Sequence, residues 1–278
     1  MGKHYATREG LDAPLCEAIF EAALPRSSGD VLPSTPAGIA VAVADRLDTL
    51  VGLFAVVGAP KATADPFGLR RAAYGAVQAL VATSSRCDLR AALVEAAALQ
   101  PVTCDMKVVD ECLEYMTRRL EQYLVDSGCG VEAVRAVLAE RGGDPAVAAE
   151  TAKALDAAVA GGSKELKAAM TVLARPTRLV RGKELPDDLE VKKESLVEAE
   201  EVALYEAYVA AREKVGAEAS VGDLLSAAAS LSEASEAFFD KVFVMAEEPE
   251  LRRNRMSLLN AIATLPKGIV DFTELPGF

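Results

Sequence analysis

Apolar residues recur along the chain every three to four positions, the spacing of one face of an α-helix. Residues 11–24 predict a first amphipathic helix, with Leu15, Ile19 and Ala22 inward, and residues 25–30 a polar break. Thr35 then reads as an N-cap and Pro36 as the first helical residue, opening a helix striped by Ile39, Val43, Leu47 and Leu50. Residues 51–57 extend that apolar surface, and residues 58–65 predict a loop. Helical spacing resumes near Asp65-Pro66 and runs to about residue 82. It resumes after a break at 84–88 and continues to Leu99. Beyond Pro101 and Asp105, a helix over 107–125 carries Val109, Leu113, Met116, Leu120 and Leu124 on one side. Gly128 and Gly130 close it, a shorter helix follows over 131–141, and Gly142-Gly143-Asp144-Pro145 predicts a turn ending in a cap.

Gly161-Gly162-Ser163 reads as a hinge before the last helical region. There, residues 194–214 predict an acidic helix and 221–230 a second. Leu231, Ala234, Phe238, Val242 and Met245 form one continuous stripe. Pro249 starts a final helix with Leu251, Leu258, Leu259, Ile262 and Leu265 inward, and Phe272 and Phe278 are expected to pack the tail. No repeat of fixed period is present.

Composition strengthens the helical reading. Apolar residues make up 51%, mostly Ala, Leu and Val, against 5% aromatics and no Trp. Ala and Leu favour helices, whereas β-branched and aromatic clusters favour strands. The expected class is all-α. No apolar run approaches the roughly 18 residues of a membrane-spanning helix, and no signal peptide opens the chain, so no membrane partner is expected. The first residues read like the middle of a helical domain, which suits a fragment. Five cysteines, an odd number without CxxC spacing, suit free thiols in a reducing intracellular or organellar compartment.

The formal net charge of −12 argues against broad nucleic-acid binding, and no DNA partner is expected. A local basic patch exists all the same. Residues 164–183 hold six basic residues against the single acid Glu165, and residues 184–218 then hold eleven acids against four bases. Arg175, Arg178 and Arg181, recurring every three residues, would form a ridge beside the apolar stripe of Leu166, Met170 and Leu173, and Lys183 is a further candidate for tRNA contact. A solvated face is the plainer reading of such a run.

Other candidates divide in the same way. Asp45 and Asp48, three apart, would suit a divalent metal or acid–base chemistry. The alternative is a polar rim paired with Arg46, Arg70 or Arg71. The chain has one histidine, His4, so no metal site is expected. Asp65 reads as a cap, Pro66 as a helix start, and Phe67 and Leu69 as core. Arg70 and Arg71 then fall in a first turn whose dipole disfavours cations, so they call for carboxylate or phosphate partners. Phe238, Val242 and Met245 read as core. Phe239 lies off their stripe and is a candidate for base stacking as well as for burial. Lys241, Arg252, Arg253, Asn254 and Arg255 are further candidates for RNA contact, the arginines through their planar forks.

Several segments resemble the beta subunit of bacterial-type glycyl-tRNA synthetase. One runs from Leu32-Pro33-Ser34-Thr35-Pro36 through Ala44-Asp45-Arg46-Leu47-Asp48-Thr49-Leu50-Val51-Gly52, and Asp65-Pro66-Phe67-Gly68-Leu69-Arg70-Arg71 follows at the family's spacing. Near the end, Ala237-Phe238-Phe239-Asp240-Lys241 and Glu247-Glu248-Pro249-Glu250-Leu251-Arg252-Arg253-Asn254-Arg255 are similar to the close of that subunit. Glu198 to Tyr205 fits the same region, whereas Arg175-Pro176-Thr177-Arg178 departs from the pattern of many bacterial members. The resemblance covers nearly the whole chain and is thinnest between about residues 84 and 160.

The resemblance implies the C-terminal portion of that subunit: an HD-like helical region over 1–100, a connector over 101–162, and an anticodon-binding domain over 163–278. The last would share its fold with arginyl-tRNA synthetase. Asp45 to Asp48 matches the last metal-binding position of HD-type phosphohydrolases, but the histidines of that site are absent. The implied role is to hold tRNA-Gly for glycine–tRNA ligase. ATP and Mg would be used by the complex at an alpha subunit or a fused alpha region, with no cofactor and no catalytic residue in this chain. The implied location is the cytoplasm of a bacterium, or a plastid or mitochondrial matrix. An acidic protein-interaction scaffold and an HD-type phosphohydrolase are the rival readings.

Overall fold

The computed structural model describes residues 1–27, 29–60, 64–183, 190–216 and 218–278. Among these, thirteen α-helices and two short 3-10 turns form the secondary structure, with no β-strand. The all-α expectation holds. Parts of three expected segments lie outside the described residues: 28 in the polar break, 61–63 in the loop, and 184–189 and 217 in the acidic stretch.

The chain groups into two compact units, one of residues 1–134 with 141–152 and the other of 135–140 with 153–278. The first contains α1 (Gly2–Arg8), α2 (Ala13–Glu21), α3 (Pro36–Val57), α4 (Leu69–Ala82), α5 (Leu89–Leu99) and α6 (Met106–Asp126). α3 is its centre, packed on α2, α4, α5 and α6. As the spacing predicts, Thr35 Oγ1 accepts from Gly38 N at 3.1 Å, Pro36 opens the helix, and Ile39, Val43, Leu47 and Leu50 are buried. Asp88 and Asp105 cap α5 and α6 by accepting from Ala91 N and Val108 N, each at 3.0 Å.

Two expectations in this unit are corrected. Leu15 and Ile19 are exposed, and α2 instead buries Cys16, Ala18 and Glu21. The carboxylate of Glu21 reaches the start of α3, accepting from the amide and hydroxyl of Ser34, each at 2.9 Å, and from those of Thr35. A charged group with that many donors turns this face of α2 inward against the apolar pattern. The second correction concerns the start of α4, which opens at Leu69 rather than Pro66 and leaves Phe67 exposed. Gly68 takes the left-handed conformation (φ 70°). That turn lets Asp65 cap the helix from upstream, accepting from Leu69 N at 2.8 Å and Arg70 N at 2.9 Å.

Helices α7 (Val131–Arg141) and α8 (Pro145–Ala160) contribute residues to both units. Asp144 caps α8, accepting from Ala146 N and Val147 N, with Pro145 first in the helix.

The second unit contains α9 (Lys164–Val180), α10 (Ala199–Lys214), α11 (Val221–Ala229), α12 (Ser232–Lys241) and α13 (Pro249–Ala263). α9 packs on α11, α12 and α13, and α10 closes on the same three. The acidic helix starts at Ala199, not 194, because Glu198 and Glu201 form a capping box there. α12 ends at Lys241, and this overturns the continuous stripe to Met245. Beyond it Val242 is extended and Val244 and Met245 form a turn, and burial alternates: Val242, Val244 and Ala246 face in, while Phe243 and Met245 are 72% and 45% exposed. The tail returns to residues 135–140, with Asp271 N donating to Ala136 O at 2.8 Å. Phe272 is buried and stacks against Phe278 at 6.0 Å.

Candidate nucleic-acid interface

α9 separates its apolar and basic residues by helical periodicity. Ser163 caps it through Leu166 N at 3.2 Å, and Leu166, Ala169, Val172, Leu173 and Pro176 are buried. Lys164, Lys167, Arg175 and Arg178 occupy the exposed face, and Arg181 and Lys183 continue the line past the helix end. Arg178 and Arg181 lie where the helix dipole favours cations, which accounts for them in part. It does not account for Lys164, Lys167 or Arg175, which lie in the first turns and the body of the helix.

Among the described residues none of these six basic groups makes an ion pair. Glu165, the acid in their midst, accepts instead from Ser163 Oγ at 2.8 Å. Arg178 Nη2 donates to the Phe278 carbonyl at 2.8 Å, and Lys183 Nζ lies 3.8 Å from Met245 Sδ. Lys167, Arg175 and Arg178 edge a groove of about 590 Å³ between α9 and residues 275–277, floored by Leu166 and Met170. The charged residues in its lining are all cations, beside the hydroxyls of Ser163 and Thr171.

The candidates beyond α9 separate into exposed and committed groups. Arg253 is exposed and Arg252 half-buried at the start of α13. Arg253 lines a groove of about 420 Å³ together with Glu190 and Glu250, whose carboxylates offset its charge. Asn254 is buried and is corrected from a base reader to a strap: its Oδ1 accepts from Lys192 N at 2.8 Å and its Nδ2 donates to Lys192 O at 3.0 Å. Arg255 is likewise corrected. It is buried, its Nε donates to the fully buried carboxylate of Glu201, and its Nη1 donates to the Phe243 carbonyl at 2.7 Å. Lys241 pairs with Glu200 at 2.6 Å. The face of Phe239 is covered by the Arg175 guanidinium, 4.0 Å from the ring centroid, so an incoming base would have to displace it.

One aromatic that sequence reasoning missed is Phe243. It is exposed on the extended segment after α12 while its neighbours Val242 and Val244 are buried and its carbonyl is held by Arg255. That fixes the backbone and leaves the ring in solvent. The signal became readable only once the end of α12 was known.

In the other unit Asp45 and Asp48 are both exposed. Asp48 Oδ1 accepts from Gln100 Nε2 at 2.6 Å. Arg46 does not pair with either carboxylate; it is buried and donates to the carbonyls of Ala42 at 2.6 Å and Pro25 at 3.0 Å. Arg70 and Arg71 line a groove with Arg119 of α6. No group of three or more His, Cys, Asp and Glu side chains that could hold a metal occurs among the described residues. None of the five cysteines, all described, is in a disulfide, and burial pushes the Cys112 thiol up to about 12. No helix among the described residues is long and apolar enough to cross a membrane.

Comparison with known proteins adds to this geometry. A family model described as the glycyl-tRNA synthetase beta subunit matches residues 1–139. That is the N-terminal half of this chain, and it includes much of the stretch where the resemblance read from sequence was thinnest. The chain is 43% identical over 278 residues to a chloroplastic/mitochondrial glycine–tRNA ligase of Arabidopsis thaliana, covering all of this chain and 26% of that relative. It is 35% identical over 285 residues to the glycine–tRNA ligase beta subunit of an Escherichia coli strain, covering 99% of this chain and 40% of the relative. The Haemophilus influenzae beta subunit gives the same identity and coverage. The chain thus spans between 26% and 40% of the length of these relatives.

Proposed function

The chain belongs to the glycyl-tRNA synthetase beta subunit family, and from that premise we propose that it is a tRNA-binding part of a glycine–tRNA ligase. The observation that carries the reading is the basic line along α9, exposed and without an ion pair among the described residues, in a chain of net charge −12. Leaving like charges side by side without carboxylates is unfavourable unless an anion visits them. The spacing of Lys164, Lys167, Arg175 and Arg178 along one helix face suits successive phosphates of a folded RNA strand. Phe243 supplies an exposed ring in the same unit, on which a base of a single-stranded loop can stack.

In this reading the residues 153–278 receive the anticodon stem-loop of tRNA-Gly. Binding there positions the distant acceptor end for a reaction performed elsewhere. Glycine, ATP and Mg are then handled by an alpha subunit or alpha region. The relatives, which carry chloroplastic/mitochondrial and bacterial names, fit either an organelle or a bacterial cytoplasm for the work.

The test is removal of charge from the ridge without touching the buried pairs. Lys167→Gln, Arg178→Gln and Arg181→Gln combined are expected to weaken tRNA binding and to lower the slope of log affinity on log salt by about 1 for each lost phosphate contact. Filter binding across a salt series reads both quantities, and a thermal melt checks that the variant is folded. An unchanged slope in a folded variant removes α9 from the interface and favours a surface that binds proteins alone.

A further inference from the structure

We propose that the groove between α4 and α6 is a second anion site, built to take one phosphate group. It is a cavity of about 310 Å³ lined by Arg70, Arg71 and Arg119, with the amides of Gln78 and Gln122 beside them and no carboxylate in its wall. It stands on the unit of residues 1–134 and 141–152, so it does not rest on the reading of α9.

Three guanidinium groups around one small cavity repel one another, and the fold has arranged to hold them there. Arg119 is oriented from two sides: its guanidinium lies 5.4 Å from the Tyr115 ring centroid, and its Nη1 donates to Gln122 Oε1 at 3.1 Å. Its Nε is buried and has no acceptor among the described residues. A buried donor left unmade costs free energy comparable to a lost hydrogen bond, so such a group is itself a sign of a missing acceptor. Arg71 comes from the first turn of α4, where a cation is disfavoured by the dipole and an anion favoured. A Cβ on residue 68 would lie 3.0 Å from Arg71 Nη2, so glycine there leaves room for the side chain to fold back over the turn. Gly75 keeps the floor low: a Cβ there would come within 3.0 Å of Arg46 Nε.

Asp65, the acid before α4, does not line this cavity. Its two oxygens accept from the amides of Leu69 and Arg70 at the helix start. The N–H groups of Arg71 and Arg119 already exceed what one carboxylate accepts, because a carboxylate offers about four lone-pair sites and each guanidinium up to five N–H groups. A phosphate group presents more oxygens in a tetrahedral arrangement and matches planar forks arriving from several directions. That phosphate can come from an RNA backbone or from a small phosphomonoester.

The experiment compares the whole chain with Arg71→Gln, an exposed position, and with Arg119→Gln. AMP and inorganic phosphate are titrated calorimetrically at constant ionic strength set with chloride, and tRNA-Gly binding is measured alongside. The expected result is that Arg71→Gln, with an unaltered melt, weakens the binding of the phosphate-bearing partner about 10-fold. Loss of AMP or phosphate binding identifies a small phosphomonoester. Loss of tRNA binding without any AMP or phosphate heat identifies the RNA backbone. The proposal is overturned when both folded variants bind all three partners as the parent does, or when the parent binds none of them. If the α9 variant binds tRNA normally while Arg71→Gln does not, the ridge reading fails and this one stands.

Discussion

Arg255→Ala is expected to destabilise the unit of residues 135–140 and 153–278 by about 3–5 kcal/mol, the cost of breaking a buried ion pair from one side. Arg255 is 5% exposed and its partner Glu201 0%. Glu201 also accepts from Val197 N at 2.7 Å and Glu198 N at 3.2 Å, so its carboxylate is fixed at the start of α10 and cannot turn out to solvent. Without Arg255 that charge stays buried and the Phe243 carbonyl loses its donor. Urea denaturation followed by circular dichroism measures the loss. Pairing Arg255→Met with Glu201→Leu should recover much of it, since removing both charges relieves the desolvation cost. A variant as stable as the parent would show that the pair is solvated. Any loss of RNA binding in Arg255→Ala reports unfolding of the unit, not a lost contact.

The second large effect is expected at Gly38→Ala. A Cβ on residue 38 would lie 2.6 Å from Glu21 Cβ and closer still to its carboxylate, so the buried glutamate must leave. It then gives up the donors of Ser34 and Thr35, and the join between α2 and α3 opens. The loss should reach about 3 kcal/mol or more, overpacking and lost charge-assisted hydrogen bonds together.

The effect should depend on pH. Burial pushes the Glu21 carboxyl up, but the hydrogen bonds from Thr35 and Ser34 outweigh it and hold the group below its ordinary value of 4.5. A carboxyl lowered in the folded state stabilises the fold above the unfolded value. The contribution is lost as pH falls through the folded one. The gap between parent and Gly38→Ala should therefore be full at neutral pH and narrow in acid. Melting curves at several pH values test both the size and the sign, and a gap that widens in acid would contradict the account.

Local chemistry was the part of this fold legible in the sequence. Thr35 with Pro36, Asp144 with Pro145 and the Ile39, Val43, Leu47, Leu50 stripe each depend on residues within one or two turns, and the structure has them as the spacing predicts. What failed depended on distant partners. The Leu15 and Ile19 face looked inward by periodicity, but the donors that capture Glu21 lie 13 and 14 residues on. Met245 looked like core because the stripe was continued past the end of α12, where the helix gives way to a turn at Val244 and Met245.

The site was legible to a similar degree. The basic line of α9 could be read from spacing, because its apolar face fixes the opposite one. Arg255 was misplaced because its partner Glu201 is 54 residues away. A signal was present nonetheless: Arg255 shares a helix face with Leu258, Leu259 and Ile262, all fully buried. An arginine at that register has to find a carboxylate inside.

We propose that this chain recognises the anticodon end of tRNA-Gly. The deciding comparison is the affinity of the unaltered chain for tRNA-Gly and for the same tRNA with its anticodon bases replaced, across a salt series. Replacing the bases is expected to weaken binding while the salt slope stays the same, because phosphate contacts persist and base contacts are lost. Equal affinity for the two RNAs, or binding insensitive to salt, would contradict it.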